Sequence, residues 1–321
     1  MAGIKNVFGG AGANPDQYFG EPDNLQKAFD LLEKYNTKTI DTATLYGESQ
    51  AILGKAGAGK RFTIDTKATG GFGGADRANV LKEAKESKEQ LNSDVDVYYL
   101  HAPDYKVPIE ETLEAINEVY KSGFFKRFGL SNYKVEDVQK IYDVAKEKGF
   151  VLPSVYQGNY NAVARLYESD LFPTLRKLGI SFYAYSPIAG GFLTKTKQDI
   201  LDGKGRFDTS TFLGQMYAKL YSKPSYLSAL SDWSDIATEE GTTQADLAYR
   251  WVKYNSPLKA EHGDAIIIGA RNLEQLEETL KAIDKGPLSE KAARRIDGVW
   301  EKIKGDAPID NYHSYFEDKK E

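Results

Sequence analysis

Apolar residues in this chain recur with two different periods. Short runs rich in β-branched and aromatic residues end at Phe8, Asp41, Lys67, His101, Leu130, Gln157, Tyr185 and Gly269, and each has the length and composition of a strand. Between most of them lie segments whose apolar positions are three or four apart. Residues 23–35 carry Leu25, Phe29 and Leu32 on one helical face and open with Asp23 and Gln26 at capping-box spacing. Residues 76–91 repeat the pattern with Val80, Ala84 and Leu91, and residues 109–122 with Ile109, Leu113, Ile116 and Val119 before Gly123 stops the helix. Residues 272–283 open with Asn272 and Gln275 and carry Leu273, Leu276, Leu280 and Ile283.

Strand–helix alternation predicts an α/β fold with a parallel sheet. Eight such units in about 270 residues match a closed (β/α)8 TIM barrel, so residues 1–321 read as a single barrel domain. A doubly wound open sheet would need a Gly-x-Gly-x-x-Gly turn opening a helix after its first strand. Gly9, Gly10 and Gly12 are followed by no helical pattern, and Gly70, Gly71, Gly73 and Gly74 lack the spacing; both clusters read as flexible strand-to-helix loops. Residues 188–224 form a long Gly-, Thr- and Ser-rich stretch, well beyond the ~15 residues of ordinary connections. After the seventh strand it would overhang the barrel mouth. The tail 304–321 holds Tyr312, His313, Tyr315 and Phe316 before turning charged, and would either close one side of a site or fray.

Composition narrows the chemistry. The chain has 321 residues, 41% of them hydrophobic, with no cysteine. Disulfides, thiolate metal sites and a cysteine nucleophile are excluded, and a reducing, cytoplasmic setting fits. A net charge of −5 argues against a general phosphate-backbone binder, hence against a nucleic-acid partner. No stretch approaches the roughly 18 apolar residues of a membrane span, and the N-terminus lacks a signal-peptide pattern. With three histidines, His101, His262 and His313, and no paired-ligand motif, no metal site is expected.

Four polar residues stand out. Asp41, Lys67 and His101 end predicted strands, and Tyr46 lies in the turn after Asp41. Strand C-termini converge on the active face of such a barrel. In the strand 61–67, Phe62 and Ile64 share one face while Thr63, Asp65 and Lys67 share the other. If Phe62 and Ile64 face the helices, Lys67 points inward, where a buried ammonium needs a carboxylate; Asp41 is the natural partner. A structural ion pair is the alternative for these two alone, as packing is for Tyr46 and a satisfied core position for His101. Together, a phenol, an ammonium, a carboxylate and an imidazole are the ingredients of tuned acid–base chemistry.

Six stretches carry a resemblance: Asp41–Gly47, Leu100–Asp104, Gly129–Tyr133 (GLSNY), Val155–Asn161 (VYQGNYN), Phe182–Thr194 (FYAYSPIAGGFLT) and Gly269–Leu280 (GARNLEQLEETL). Together they resemble the aldo-keto reductases, and more narrowly the aflatoxin-aldehyde/succinic-semialdehyde reductase subfamily, over nearly the whole chain. The resemblance implies NADPH-dependent reduction of aldehydes, with ketones as an alternative, to alcohols through a tetrad of Asp41, Tyr46, Lys67 and His101. Tyr46 would be the general acid, its phenol pKa of about 10 eased by Lys67. Asp41 would hold Lys67, and His101 would orient the carbonyl.

The same resemblance implies the cofactor residues for NADPH (NADP+). Ser131, Asn132 and Gln157 would meet the carboxamide and Tyr185 would stack on the nicotinamide. Ser186, Ile188, Gly190 and Leu193 would follow the pyrophosphate. Gly269 and Arg271 lie at a helix N-terminus, a ready anion site, with Arg271 on the 2′-phosphate and Gln275 and Glu278 toward adenosine. Gln275 could equally form a capping box with Asn272. Thr279 stands where the family usually has asparagine. In place of the subfamily's carboxylate-binding arginines, Arg206 and Lys219 are the substrate candidates, with Tyr312 from an aromatic tail suited to apolar or aromatic carbonyls. A homodimer is implied as well. A non-catalytic NADPH-binding subunit of the potassium-channel type is the second reading.

Overall fold

A computed structural model describes residues 3–316. Its eight strands are β1 Lys5–Gly9, β2 Thr39–Asp41, β3 Thr63–Ala68, β4 Val95–Leu100, β5 Phe125–Ser131, β6 Pro153–Asn159, β7 Ser181–Tyr185 and β8 Ala265–Ile268. All pair in parallel with their sequence neighbours, and β1 pairs with β8, which closes the barrel. The expected (β/α)8 barrel is the one observed.

Strand alternation divides the core in two. Val7, Val97, Tyr99, Val155, Tyr183, Ala265 and Ile267 fill the barrel interior. Phe8, Ile40, Ile64, Tyr98, Tyr156, Phe182 and Ile268 point outward into the layer shared with the helices, the arrangement a period of two imposes on a strand covered on both faces. Phe62 lies in that outer layer too, which fixes Lys67 and Asp65 as inward. Tyr99 needs its neighbour small: a Cβ on Gly129 would fall 2.3 Å from the Tyr99 ring.

The helices begin and end close to where the periodicity places them, at Pro22–Lys34, Arg77–Leu91, Ile109–Lys121 and Leu273–Ile283. The first differs at its start. Pro22 occupies the first helical position, no side chain caps the helix, and Gln26 instead bonds Ala56 O at 3.0 Å and accepts from Arg61 at 3.0 Å. Proline's fixed φ sets the entry, so the Asp23–Gln26 spacing has no capping work to do.

The stretch 188–224 is not an open loop. It folds into short helices at Ala189–Thr194, Lys197–Leu201, Gly205–Phe207 and Phe212–Tyr221. Thr196 with Asp199, and Thr211, cap two of them, while Phe192, Phe207, Tyr217 and Tyr221 are buried among one another. The glycine and threonine content that suggested flexibility supplies turns and caps instead. Among the described residues no helix is long and apolar enough to cross a membrane.

Candidate active site

The C-terminal ends of the strands bring Asp41, Tyr46, Lys67 and His101 together. Lys67 Nζ donates to Asp41 Oδ2 at 2.6 Å and to Thr42 O at 2.7 Å, and both side chains of the pair are almost fully buried. Gln157 Nε2 donates to the other Asp41 oxygen, Oδ1, at 2.9 Å. Asp41 is thus held from two sides. The Lys67 ammonium also lies 5.2 Å from the Tyr46 ring centroid and 5.5 Å from that of Tyr99. Burial works against its charge, but the Asp41 carboxylate and the Tyr46 phenol outweigh that and hold Lys67 above its ordinary value.

Tyr46 stands edge-on to His101 with ring centroids 5.6 Å apart. Its surroundings are crowded although part of the residue reaches the mouth. Burial pushes its phenol up, Lys67 pulls it down, and the net displacement is upward. Lys67 therefore limits a cost of burial; it does not bring the phenol below its usual range. Burial, with the nearby Lys67 charge, holds His101 well below the ordinary imidazole value. The ring is neutral at physiological pH, so it can donate one hydrogen bond without adding a proton of its own. Its Nδ1 is buried and has no partner among the described residues.

The residues expected around a nicotinamide are close by and already engaged. Asn132, at φ 61, donates to His101 O at 2.9 Å and to Ser131 Oγ at 3.1 Å, and accepts from Tyr185 OH at 2.6 Å. Gln157 contacts Asp41, as above. Ser186, Ala189, Gly190 and Gly191 all take positive φ, which coils residues 186–194 into a turn. A Cβ on Gly190 would sit 2.1 Å from the Tyr217 ring. Tyr217 OH in turn lies 3.3 Å from Ser186 Oγ and 3.5 Å from Arg206 Nη1. Leu193 is buried, its carbonyl taken by Trp233 Nε1 at 3.0 Å, and Ile188 is half-buried against the core.

Gly269 and Arg271 are exposed at the other flank, and open space surrounds the Gly269 Cα. Asn272 caps the helix through Gln275 N at 2.9 Å, but the return bond of the expected box is displaced: Gln275 Oε1 accepts from Arg271 N at 2.8 Å, not from Asn272. The extended Asn272 (φ −155) turns its own amide away. Glu278 is exposed on the same helix. Thr279 is buried beside Tyr249, whose hydroxyl reaches Gly269 O at 3.4 Å.

The substrate candidates divide. Tyr312 faces the mouth against Phe72, with ring centroids 5.3 Å apart, and Phe72 in turn stands 5.3 Å from His101. Arg206 is exposed above Tyr217. Lys219 instead bonds the tail at Tyr315 O, 3.1 Å away, so it braces the tail. Asp310 and His313 pin that tail further: His313 Nδ1 is 2.7 Å from Asp310 Oδ2, His313 Nε2 is 3.0 Å from Tyr105 OH, and Asn311 N donates to Tyr185 OH at 3.3 Å. Up to Phe316 the tail closes one side of the mouth; its charged end, 317–321, lies outside the described residues.

Phe72 was not among the residues singled out by sequence. Its signal was the glycine cluster around it. A Cβ on Gly70 or Gly71 would strike Ala102 O at 2.4 Å or Pro103 O at 2.0 Å, so those glycines let the loop press against the one after β4 and set Phe72 over His101. Asp65 was placed on the inward face beside Lys67 but given no role, and Tyr217 was given none; both make their contacts with distant segments of the chain.

A closed parallel barrel that gathers a buried lysine–carboxylate pair, a phenol and a neutral imidazole at its C-terminal mouth has the parts of a barrel-enzyme site suited to acid–base chemistry. Comparison with known proteins gives the class its family. Residues 7–301 match the aldo/keto reductase family, and the chain belongs to it. An oxidoreductase designated sirO from Leptosphaeria maculans is 43% identical over 283 residues, 87% of this chain and 86% of its own. Human aldo-keto reductase family 7 member A3 is 38% identical, and human aflatoxin B1 aldehyde reductase member 4 is 37% identical, each over 87% of this chain and 88% of its own. The protein is an oxidoreductase, and carbonyl reduction is the reaction its family membership supports.

Proposed function

We propose that this protein reduces aldehydes to alcohols with NADPH, using Tyr46 as the general acid. The observation that carries this is the Lys67 ammonium, buried between Asp41 at 2.6 Å and the ring of Tyr46. Bound NADPH would supply the hydride; the protein supplies geometry and field. Tyr46 gives its proton to the carbonyl oxygen as negative charge builds there. Lys67 stabilises the phenolate left behind, and Asp41, fixed by Gln157, keeps Lys67 charged and aimed. The neutral His101 donates a hydrogen bond to the same oxygen and sets its approach.

The residues present fit a dinucleotide. The positive-φ turn at 186–191 offers backbone amides where side chains would intrude, and the open ground at Gly269 and Arg271 adjoins a helix N-terminus. In this reading Ser131, Asn132, Gln157 and Tyr185 receive the nicotinamide end. Ser186, Ile188, Gly190 and Leu193 receive the pyrophosphate, and Gln275 and Glu278 the adenosine. Arg271 takes the 2′-phosphate, which selects NADPH over NADH. Phe72, Tyr312 and Phe316, mutually packed beside His101, favour flat apolar or aromatic aldehydes. Arg206 is the cation that could receive a carboxylate on such a substrate. The relatives named for aflatoxin aldehyde agree in kind. A single barrel domain, a cytoplasmic location and a homodimer complete the proposal, on the strength of the resemblance.

The test is Tyr46→Phe, assayed by NADPH oxidation against aromatic and carboxylate-bearing aldehydes. Cofactor affinity should hold while reduction falls by about 10²–10⁴-fold. Turnover near that of the unaltered protein would sink the mechanism.

A further inference from the structure

Beneath the proposed acid lies a second carboxyl that the reaction as described does not use. Asp65 precedes Lys67 by two residues on β3 and shares its inward face, roughly 7 Å further down the strand. Its register partner on β2 is Asp41. Asp65 is fully buried; Oδ1 accepts from Val97 N at 3.2 Å, and Oδ2 has no partner among the described residues.

Charged and titratable groups face it from most of the barrel: Lys5 on β1, Asp41 on β2, Lys67 on β3, Asp96 and Tyr99 on β4, Arg127 on β5 and Tyr183 on β7. β6 and β8 contribute the uncharged Val155, Ala265 and Ile267. The two cations below are spoken for. Arg127 grips Asp96 through Nε at 3.2 Å and Nη2 at 2.8 Å, and Lys5 hydrogen-bonds Tyr183 OH. Asp65 is left without a direct ion pair among the described residues, below a carboxylate and a lysine on which the chemistry depends.

We propose that Asp65 is a positioning residue for carbonyl reduction: its carboxyl, set beneath the Asp41–Lys67 pair, governs how much of the Lys67 charge remains for the Tyr46 phenol. The proposal rests on Tyr46 as the acid. Neutral Asp65 leaves Lys67 to Asp41 and Tyr46. Ionised Asp65 adds a second anion to the same ammonium, the phenolate gains less from Lys67, and Tyr46 becomes a weaker acid. Burial, together with Asp41 and Asp96 and against Lys5 and Arg127, pushes Asp65 up to about 8, so this change of charge falls in the range where the enzyme would be assayed. A unit charge on the order of 10 Å from the phenol, at an effective dielectric of about 20, changes its proton affinity about tenfold, and a proton half transferred in the transition state passes about threefold of that to the rate.

Two measurements on Asp65→Asn test it. The first is thermal unfolding across pH, which needs no catalysis. The folded value of Asp65 is raised above an unfolded value of about 3.9. Its contribution to stability is therefore complete below about 4 and is lost as pH rises toward 8. Asn does not titrate, so the Tm advantage of the variant should widen by roughly 5 °C or more between pH 5 and 8, then level off.

The second is the pH profile of kcat/KM for reduction. The unaltered protein should step down about threefold near pH 8 before its final fall at higher pH, and Asp65→Asn should lack that step. Lys5→Met, which keeps Asp65 but removes a cation opposing its upward shift, should move the step up by about half a unit to one unit; this variant carries the test if Asp65→Asn does not fold. A Tm gap that stays flat with pH, a step that persists in Asp65→Asn, or a step unmoved by Lys5→Met overturns the proposal. If Tyr46→Phe loses reduction while the step persists in Asp65→Asn, only the role of Asp65 falls. If Tyr46→Phe keeps reduction, the proposal falls together with the mechanism beneath it.

Discussion

Replacing Lys67 with methionine separates what the buried ion pair does for the fold from what it does for the chemistry. Methionine fills a similar volume and removes the charge. Asp41 then keeps only the Gln157 Nε2 bond at 2.9 Å, and Thr42 O loses the donor that stood 2.7 Å away. The carboxylate is left in a site where its side chain is 4% exposed, so water cannot replace the ammonium. Breaking such a pair from one side costs about 3–5 kcal/mol. At roughly 2–3 °C per kcal/mol for a chain of this size, Tm should drop by about 6–15 °C. Adding Asp41→Asn removes the stranded charge and should recover most of the loss, leaving a coupling of ~2 kcal/mol or more between the two positions. Activity should not recover with it, because the phenol, already pushed up by burial, has lost Lys67, the larger of the two cationic influences on it, with only the weaker pull of Arg206 left. Urea unfolding followed by tryptophan fluorescence gives the stabilities, and NADPH oxidation gives the rates. A Lys67→Met protein within about 1 kcal/mol of the parent, or a coupling near zero, would refute the burial argument.

The cofactor groove can be examined at both ends. Arg271→Ala should weaken NADPH by about 10- to 100-fold, as expected for losing charge-assisted hydrogen bonds, and should change NADH affinity little; equal losses in equilibrium titration would refute the phosphate assignment. Gly190→Ala forces a methyl to within 2.1 Å of the Tyr217 ring at a residue with φ 67. It should destabilise the protein by about 1–3 kcal/mol and weaken dinucleotide binding, since Tyr217 cannot move without releasing Ser186 and Arg206; unchanged Tm and affinity would show the turn to be slack.

Several parts of this protein were legible as pattern. The alternating periods of strand and helix determine the barrel, because a strand buried on both faces and a helix buried on one leave different spacings in the sequence. The inward aim of Lys67 follows from Phe62 and Ile64 facing out, which the outer core confirms. Asn272 as a cap was equally plain. Other features exist only once distant segments meet. That Gln157 braces Asp41 depends on strands β2 and β6 lying across the barrel from one another. That residues 188–224 are helical depends on Phe192, Phe207, Tyr217 and Tyr221 finding each other, which no local propensity in a glycine- and threonine-rich stretch announces. The placing of Phe72 over His101 requires two loops to touch backbone to backbone, and the assignment of Lys219 to the tail requires the tail to be in place. Sequence alone determined the fold and the chemical parts, since local spacing encodes burial. The tertiary structure decided which polar groups share a partner and which charge is left without one, because hydrogen bonds and Coulomb interactions depend on distances that close only when the barrel does.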